Sequence, residues 1–278
     1  MNRTWKGICL LLMLSVVLWC CGAEKTFDTA PTEAVMTEAT ETRTTLPTEQ
    51  TTFPATEESV ISTQPLTGWL EDGQDRYYLL QDGTMAVGRV QINGVNHYFT
   101  SQGKHVVLVN RWNPVPEDYE LDLVKVEGKK VQRICAEPLK LMLSDCKDAG
   151  FTYRINSAYR SLDSQQNIWD RRYNTYIDAG YSPDEANRLV GQSVAVPGTS
   201  EHHLGLAVDI DGQKGVLEWL STHCWEYGFI VRYPEGKTDL IGIIHEPWHF
   251  RYVGDELAQE LYELDLCLEE YMQMLTQS

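Results

Sequence analysis

Ser200-Glu201-His202-His203-Leu204-Gly205-Leu206-Ala207-Val208-Asp209 is the stretch on which the reading of this chain turns. Two histidines lead into an apolar run that closes on a carboxylate. Leu206 to Ile210 reads as a strand, and a charged Asp209 inside it costs free energy unless it is paired or bound to a metal. A second island, Glu246-Pro247-Trp248-His249-Phe250-Arg251-Tyr252-Val253-Gly254, again sets ligand-type residues beside apolar strand residues. Zinc favours imidazole nitrogen and carboxylate oxygen, and a catalytic zinc takes three protein ligands and keeps one position open. His202, Asp209 and His249 supply such a set. Singly, each reads as a surface histidine or a hydrogen-bonded structural aspartate; together they point to a metal.

The second island also spells His245-Glu246-Pro247-Trp248-His249, the H-E-x-x-H of helical zinc peptidases. That motif works on a helix, where residues i and i+4 share a face. Pro247 stands in its middle, a proline in a helix interior costs about 3 kcal/mol or more, and Leu240 to Ile244 just before it reads as a strand. The helical reading is therefore rejected and His245 becomes a bystander. Glu246 keeps a catalytic role, since a strand and turn can still bring it near His249. A third group, Ser157-Ala158-Tyr159-Arg160-Ser161 followed by Gln165, lies where a strand over Phe151–Asn156 gives way to a helix. Arg160 alone is a surface arginine; beside a metal, a fixed guanidinium offers what a tetrahedral oxyanion needs.

Around these groups helical and strand patterns alternate. Helices are expected over Glu137–Ala149, Leu162–Ala179, Val216–Tyr227 and from Asp255 onward, with another opened by Ser182-Pro183-Asp184-Glu185 in the order cap, proline, acid. Strands are expected at Phe151–Asn156, Leu206–Ile210 and Phe229–Tyr233. The fold class is α+β, a small mixed or antiparallel sheet with flanking helices and a zinc cleft, occupying 108–278.

Upstream, two segments match at a period of 20 residues. Gly68-Trp69, Tyr77-Tyr78-Leu79 and Asp82-Gly83 recur as Gly88-Arg89, His97-Tyr98-Phe99 and Gln102-Gly103. Each reads as two short strands around Gly73 or Asn93-Gly94, so 66–107 is a β-hairpin repeat module. Residues 24–65 hold 13 threonines with eight acids and two bases, and almost nothing that builds a core. This is the composition of a solvated linker. Arg3 and Lys6 precede an apolar run from Ile8 to Trp19, so 1–23 reads as a signal peptide or a membrane or lipid anchor, with Cys20, Cys21 and Gly22-Ala23 offering alternative processing sites.

The 278 residues carry 40 acids against 23 bases, a net charge of −17, which excludes nucleic acid as a partner because its phosphates call for basic patches. Seven cysteines are too few for a disulfide scaffold; Cys9, Cys20 and Cys21 lie in the N-terminal segment, and Cys135, Cys146, Cys224 and Cys267, scattered without a CxxC, read as buried thiols, with a disulfide between two of them the alternative.

The three groups, S-x-H-x-x-G-x-A-x-D, E-x-x-H and S-x-Y-R-S-x-x-x-Q, resemble in residues and in chain order the VanY-like zinc D-Ala-D-Ala carboxypeptidases of the lysostaphin/D-Ala-D-Ala-metallopeptidase/hedgehog-type family. The resemblance runs from Leu108 to Gly254 and includes Val109-Asn110-Arg111-Trp112-Asn113-Pro114 and Arg232-Tyr233-Pro234-Glu235-Gly236-Lys237. It implies Zn2+ on His202, Asp209 and His249, Glu246 as base, and Arg160 as stabiliser of the substrate carbonyl. Gln165, Ser200, Tyr159 and Trp248 match positions near the bound peptide. His203 is the alternative to His202, and the spacing to Gly205 favours His202. The hairpins resemble the cell-wall-binding, choline-binding-type repeats of Gram-positive surface proteins, whose aromatics box a quaternary ammonium; Arg89 stands where the first repeat has Trp69. The resemblance implies action on peptidoglycan stem peptides, with the repeats a spacer or a wall-polymer binder; the N-terminal segment implies an extracellular or envelope-associated location, and a monomer is the expectation. D,D-carboxypeptidase action is the leading expectation. An L,D-carboxypeptidase on tetrapeptide stems, or a wall-binding protein with a vestigial metal site, are the rivals.

Overall fold

The computed structural model describes residues 67–277 apart from Gln74, so the expected leader and linker lie outside the described residues. Two hairpins come first. β1 (Gly68–Asp72) pairs with β2 (Asp75–Leu79), and β3 (Gly88–Ile92) with β4 (Val95–Phe99), the second pair 20 residues after the first. The repeat is kept in the register: Trp69 faces Tyr78 across one hairpin, and Arg89 faces Tyr98 across the other. Asn93 and Gly94 both take positive φ, which a two-residue hairpin turn with the twist of its strands requires. β5 (His105–Val106) adds a third strand to the second hairpin.

β6 (Leu123–Val126) and β7 (Lys129–Gln132) then form a ribbon leading into α1 (Arg133–Asp148). This helix begins four residues before the expected start. Pro138 lies only one and a half turns in, where the ladder gives up a single hydrogen bond. After β8 (Tyr153–Ser157) comes α2 (Leu162–Asp178), whose N-terminus is capped by Ser161 accepting from Ser164 N at 3.3 Å. In α3 (Pro183–Ser193) Ser182 accepts from Glu185 N at 3.3 Å, as the cap-proline-acid order predicts. The chain continues through β9 (Ala207–Gly212), α4 (Val216–His223), a 3-10 turn closed by Gly228, and β10 (Phe229–Tyr233).

Two expectations fail beyond this point. Leu240–Ile244 is not a strand: Thr238–Ile241 form one helical turn, α5, ended by Gly242 at φ 90°. The closing helix is two helices, α6 (Asp255–Leu264) and α7 (Leu268–Gln277), parted by Asp265 in the left-handed region. Between these regions β11 (Glu246–Tyr252) holds all but the last two residues of the second island in extended form. The H-E-x-x-H reading is therefore broken as the proline argument requires.

The central sheet is antiparallel throughout, in the order β10-β11-β9-β8. One face packs on α1 and α4 through Leu139, Met142, Leu143, Val216 and Leu220 against Ile155, Val208, Ile210 and Phe250. The other face of β10 meets α6 and α7, where Leu257, Leu261, Tyr271 and Met272 also enclose Val106 and Leu108 at the exit of the hairpins. Ser101 N donates to Tyr271 Oη at 3.0 Å across this junction. A Cβ on Gly88 would stand 2.8 Å from Leu275 O, so the second hairpin needs glycine where it meets α7. Cys135, Cys146, Cys224 and Cys267 are buried free thiols. Among the described residues no helix is long and apolar enough to cross a membrane.

Candidate metal centre and active site

Strand pairing builds the centre. His249 on β11 lies directly across from Asp209 on β9, and His249 Nδ1 comes to 3.0 Å from Asp209 Oδ1. His202 approaches from the 3-10 turn Glu201–Leu204, with Nε2 at 3.2 Å from Asp209 Oδ2. One ligand atom from each of the three lies within 4.8 Å of the others, the compact arrangement a single ion needs. The turn is set by Gly205 at φ 70°; a Cβ there would stand 2.9 Å from Leu123 Cδ2 and 3.0 Å from Gln132 N. That close approach is the reason the motif carries glycine.

The tautomers follow from the other nitrogens. His202 Nδ1 donates to Ala158 O at 2.8 Å, leaving the Nε2 lone pair for the cluster. His203 has both nitrogens engaged: Nδ1 donates to Arg160 O at 2.7 Å and Nε2 accepts from Gly198 N at 3.2 Å. His202, and not its neighbour, therefore faces Asp209. His245 sits away from the cluster with Nδ1 on Tyr233 O at 2.9 Å.

Arg160 is aimed at the same place. Its Nη1 donates to Gln165 Oε1 at 2.6 Å, its Nη2 to Ser157 Oγ at 2.9 Å, and Nη2 lies 3.5 Å from Asp209 Oδ2. Its backbone N donates to His202 O at 3.1 Å, so the Ser157–Ser161 segment and the ligand turn are zipped together. Gln165 is buried, with Nε2 spent on Ala195 O at 2.7 Å; its visible task is to hold the guanidinium. Ser200 is buried as well, Tyr159 is half-buried, and Trp248 is exposed. Glu246 opens β11 where the pairing with β10 slips between Val231 and Tyr233. The slip brings Glu246 Oε2 to 3.9 Å from His249 Nδ1, although residues three apart on a regular strand point to opposite faces.

The electrostatics are those of a site that handles protons. Burial pushes the Glu246 carboxyl up to about 7, opposed by His249 and Arg160. Burial works against the ionised form of Asp209 too, but His202 and His249 hold it well below the carboxylate range. Burial lowers His202, whereas for His249 the neighbouring carboxylates of Asp209 and Glu201 outweigh burial and raise it to about 9. The Tyr233 ring packs 4.7 Å from that of His249 and shares a cavity of about 530 Å³ with Arg111, Trp169, Gln192 and Val196.

The sequence reading assigned no site role to Tyr233 or to the buried ion cluster of Glu201, Arg232, Arg251 and Glu269. A signal for the cluster existed. Arg232 and Arg251 sit in apolar strands, the same anomaly that singled out Asp209.

An antiparallel sheet that presents an imidazole-carboxylate-imidazole cluster beside a half-buried glutamate, Glu246, and a fixed arginine defines a metallopeptidase class of site. The sequence model of the VanY D-alanyl-D-alanine carboxypeptidases matches residues 128–255, and a cell-wall-binding-repeat model matches 67–85. The chain belongs to the VanY D-alanyl-D-alanine carboxypeptidase family. It is 41% identical over 174 residues to a D-alanyl-D-alanine carboxypeptidase of Enterococcus faecalis, covering 60% of this chain and 65% of that relative. The chain thus spans a little under two thirds of that relative's length. A crystal structure of a mutant of the vancomycin-resistance D,D-pentapeptidase VanY with Zn(II) shares 39% identity, covers 60% of this chain and 97% of that one, and superposes with a TM-score of 0.58. The LD-carboxypeptidase LdcB, at 30% identity, covers 66% of this chain and 92% of that one with a TM-score of 0.53.

Proposed function

We propose that this chain is a zinc-dependent D,D-carboxypeptidase that removes the C-terminal D-alanine from peptidoglycan stem peptides at the cell envelope. The observation that carries the reading is the convergence of His202, Asp209, His249, Glu246 and Arg160 on one cleft. The D,D preference is supported by the higher identity to D,D enzymes than to the LD-carboxypeptidase. The hairpins and the match to a cell-wall-binding repeat support a wall substrate, with 24–65 as reach and 1–23 as the export signal or anchor.

His202 through Nε2, His249 through Nδ1 and Asp209 through its carboxylate would hold the zinc. Bound there, it supplies Lewis-acid polarisation of a peptide carbonyl and lowers the pKa of water. Glu246, poised near neutrality by burial, takes the proton of the attacking water and returns it to the amine of the departing D-alanine. Arg160, pinned by Ser157 and Gln165, holds the carbonyl oxygen as its charge grows. Zinc-loaded protein incubated with a pentapeptide stem should release one D-alanine, seen by mass spectrometry, and a tetrapeptide stem should be left intact. Release of alanine from the tetrapeptide alone overturns the D,D assignment, and release from neither overturns the enzyme reading.

A further inference from the structure

Glu201 is wholly buried beside the ligand cluster, and part of its carboxylate is accounted for. Oε1 accepts from Arg232 Nε at 2.8 Å and lies 2.8 Å from Arg251 Nη1. Arg232 forks onto Glu269 at 2.6 and 2.8 Å, and Asn110 Nδ2 donates to the same Glu269 at 3.0 Å. Two guanidinium groups thus face two carboxylates, and the two contacts on Oε1 fix where Glu201 can point.

Oε2 is different. It is buried without a hydrogen-bond partner, and so is His249 Nε2; the two atoms lie 3.8 Å apart. Leaving a buried polar group unmatched costs free energy. Two such groups aimed at each other mark a contact within reach of a small shift of the ring. The opposite nitrogen of His249, Nδ1, faces Asp209 at 3.0 Å. A neutral imidazole that gives its Nδ1 lone pair to a metal carries its proton on Nε2, and that proton needs an acceptor. His202 solves the mirrored problem with Ala158 O, its Nδ1 donating and its Nε2 facing the cluster.

We infer that Glu201 is a positioning residue for metal binding: its Oε2 accepts the Nε2 proton of His249 and so holds that ligand in the tautomer that presents Nδ1, while Arg232 and Arg251 hold Glu201 through Oε1. The inference rests on the assignment of His202, Asp209 and His249 as zinc ligands. Glu201→Gln keeps the size of the side chain but cannot serve both sides. If its oxygen faces His249, its amide faces two guanidinium groups; if it turns, it offers His249 a donor.

The test is zinc affinity by chelator competition on the full chain, with thermal melts alongside. Glu201→Gln should weaken zinc by about 10- to 100-fold, the range seen for lost outer-shell partners. Glu269→Gln disturbs the same ion cluster without touching His249; it should lower the melting temperature and leave zinc affinity within about threefold. Equal zinc affinity in wild type and Glu201→Gln, or equal losses in both variants, overturns the positioning role. Should Glu201→Gln fail to fold, 15N-imidazole spectra of zinc-loaded wild type decide. A His249 proton on Nε2 with Nδ1 on the metal supports the inference, and the reverse arrangement overturns it. Retention of zinc by His249→Ala would instead remove the ligand assignment on which it rests.

Discussion

Two places among the described residues gather histidines among aromatic rings, and one of them sets a carboxylate between its rings. In the hairpins His97 Nδ1 and His105 Nε2 lie 3.2 Å apart, and both rings pack against Trp69 at about 5 Å between centroids. No carboxylate among the described residues is ion-paired with either, and burial lowers the pKa of both. In the cleft His202 and His249 are as close, with centroids 4.8 Å apart, but Asp209 stands between His202 Nε2 and His249 Nδ1. The difference is one of strand register. β9 and β11 place a carboxylate opposite a histidine, whereas β4 and β5 bring His97 and His105 together among apolar and aromatic neighbours. The arginines differ in the same way. Arg76 lies over the Trp69 ring at 4.4 Å, occupying with the protein's own cation the kind of face that takes a quaternary ammonium in related repeats. Arg160 is held by its donors beside Asp209.

The largest effect should come from testing that contrast directly. His249→Ala or Asp209→Ala should lose stoichiometric zinc, with affinity falling by more than the roughly 100-fold that an outer-shell loss gives. His105→Ala should bind zinc as wild type does. Metal analysis after dialysis reads the outcome, and loss of zinc from the hairpin variant would break the contrast. Next in size, Glu246→Gln should keep its zinc and lose about 100- to 10,000-fold in turnover on a pentapeptide stem. Near-normal turnover with metal content verified would take Glu246 out of the reaction. Smaller again, Arg160→Ala should retain zinc and lose about 100- to 1,000-fold in kcat, whereas Arg76→Ala should leave kcat on the free peptide unchanged.

The candidate ligand trio was legible from its members taken together, since singly each reads as a surface histidine or a structural aspartate. A carboxylate in an apolar strand and a proline inside H-E-x-x-H are anomalies that sequence displays, and the register His249↔Asp209 resolved both at once. The capped helices were legible for a local reason: Ser161 and Ser182 satisfy backbone donors within three residues. What escaped depends on distant partners. Leu240–Ile244 looked like a strand because its apolar run is short, yet Gly242 takes positive φ and receives the Arg111 side chain, which ends a helical turn there. The closing helix was read as one because Leu266 and Leu268 continue the apolar pattern through Asp265, whose left-handed backbone breaks it. Arg232, Arg251 and Glu269 were given no site role, since such residues are rarely buried unless paired, and their pairing spans turn, sheet and α7. The docking of the hairpins on α6 and α7 has the same character: Val106 and Leu108 are unremarkable until Tyr271 and Met272 close over them.

The smallest effect expected separates the two histidine groups by proton binding. Burial is the chief cause that pushes His105 down to about 4, aided by His97 and Arg76 and opposed by Asp118. In an unfolded chain the same imidazole titrates near 6.5. Because the folded value is the lower one, the unfolded state binds the proton first on acidification. The module's stability is therefore complete above about pH 6.5 and is lost as pH falls through 6.5 towards 4. By about pH 5 the loss attributable to His105 should be on the order of 2 kcal/mol. The cleft should contribute little to this slope when zinc is saturating, since metal-held imidazoles stay unprotonated. Urea unfolding of zinc-saturated wild type and His105→Gln at about pH 7.5 and about pH 5 gives the comparison. The wild type should lose more stability than the variant on going to the lower pH. Parallel losses would show that the hairpin histidines are not the acid-sensitive group, and the contrast between the two clusters would then rest on metal binding alone.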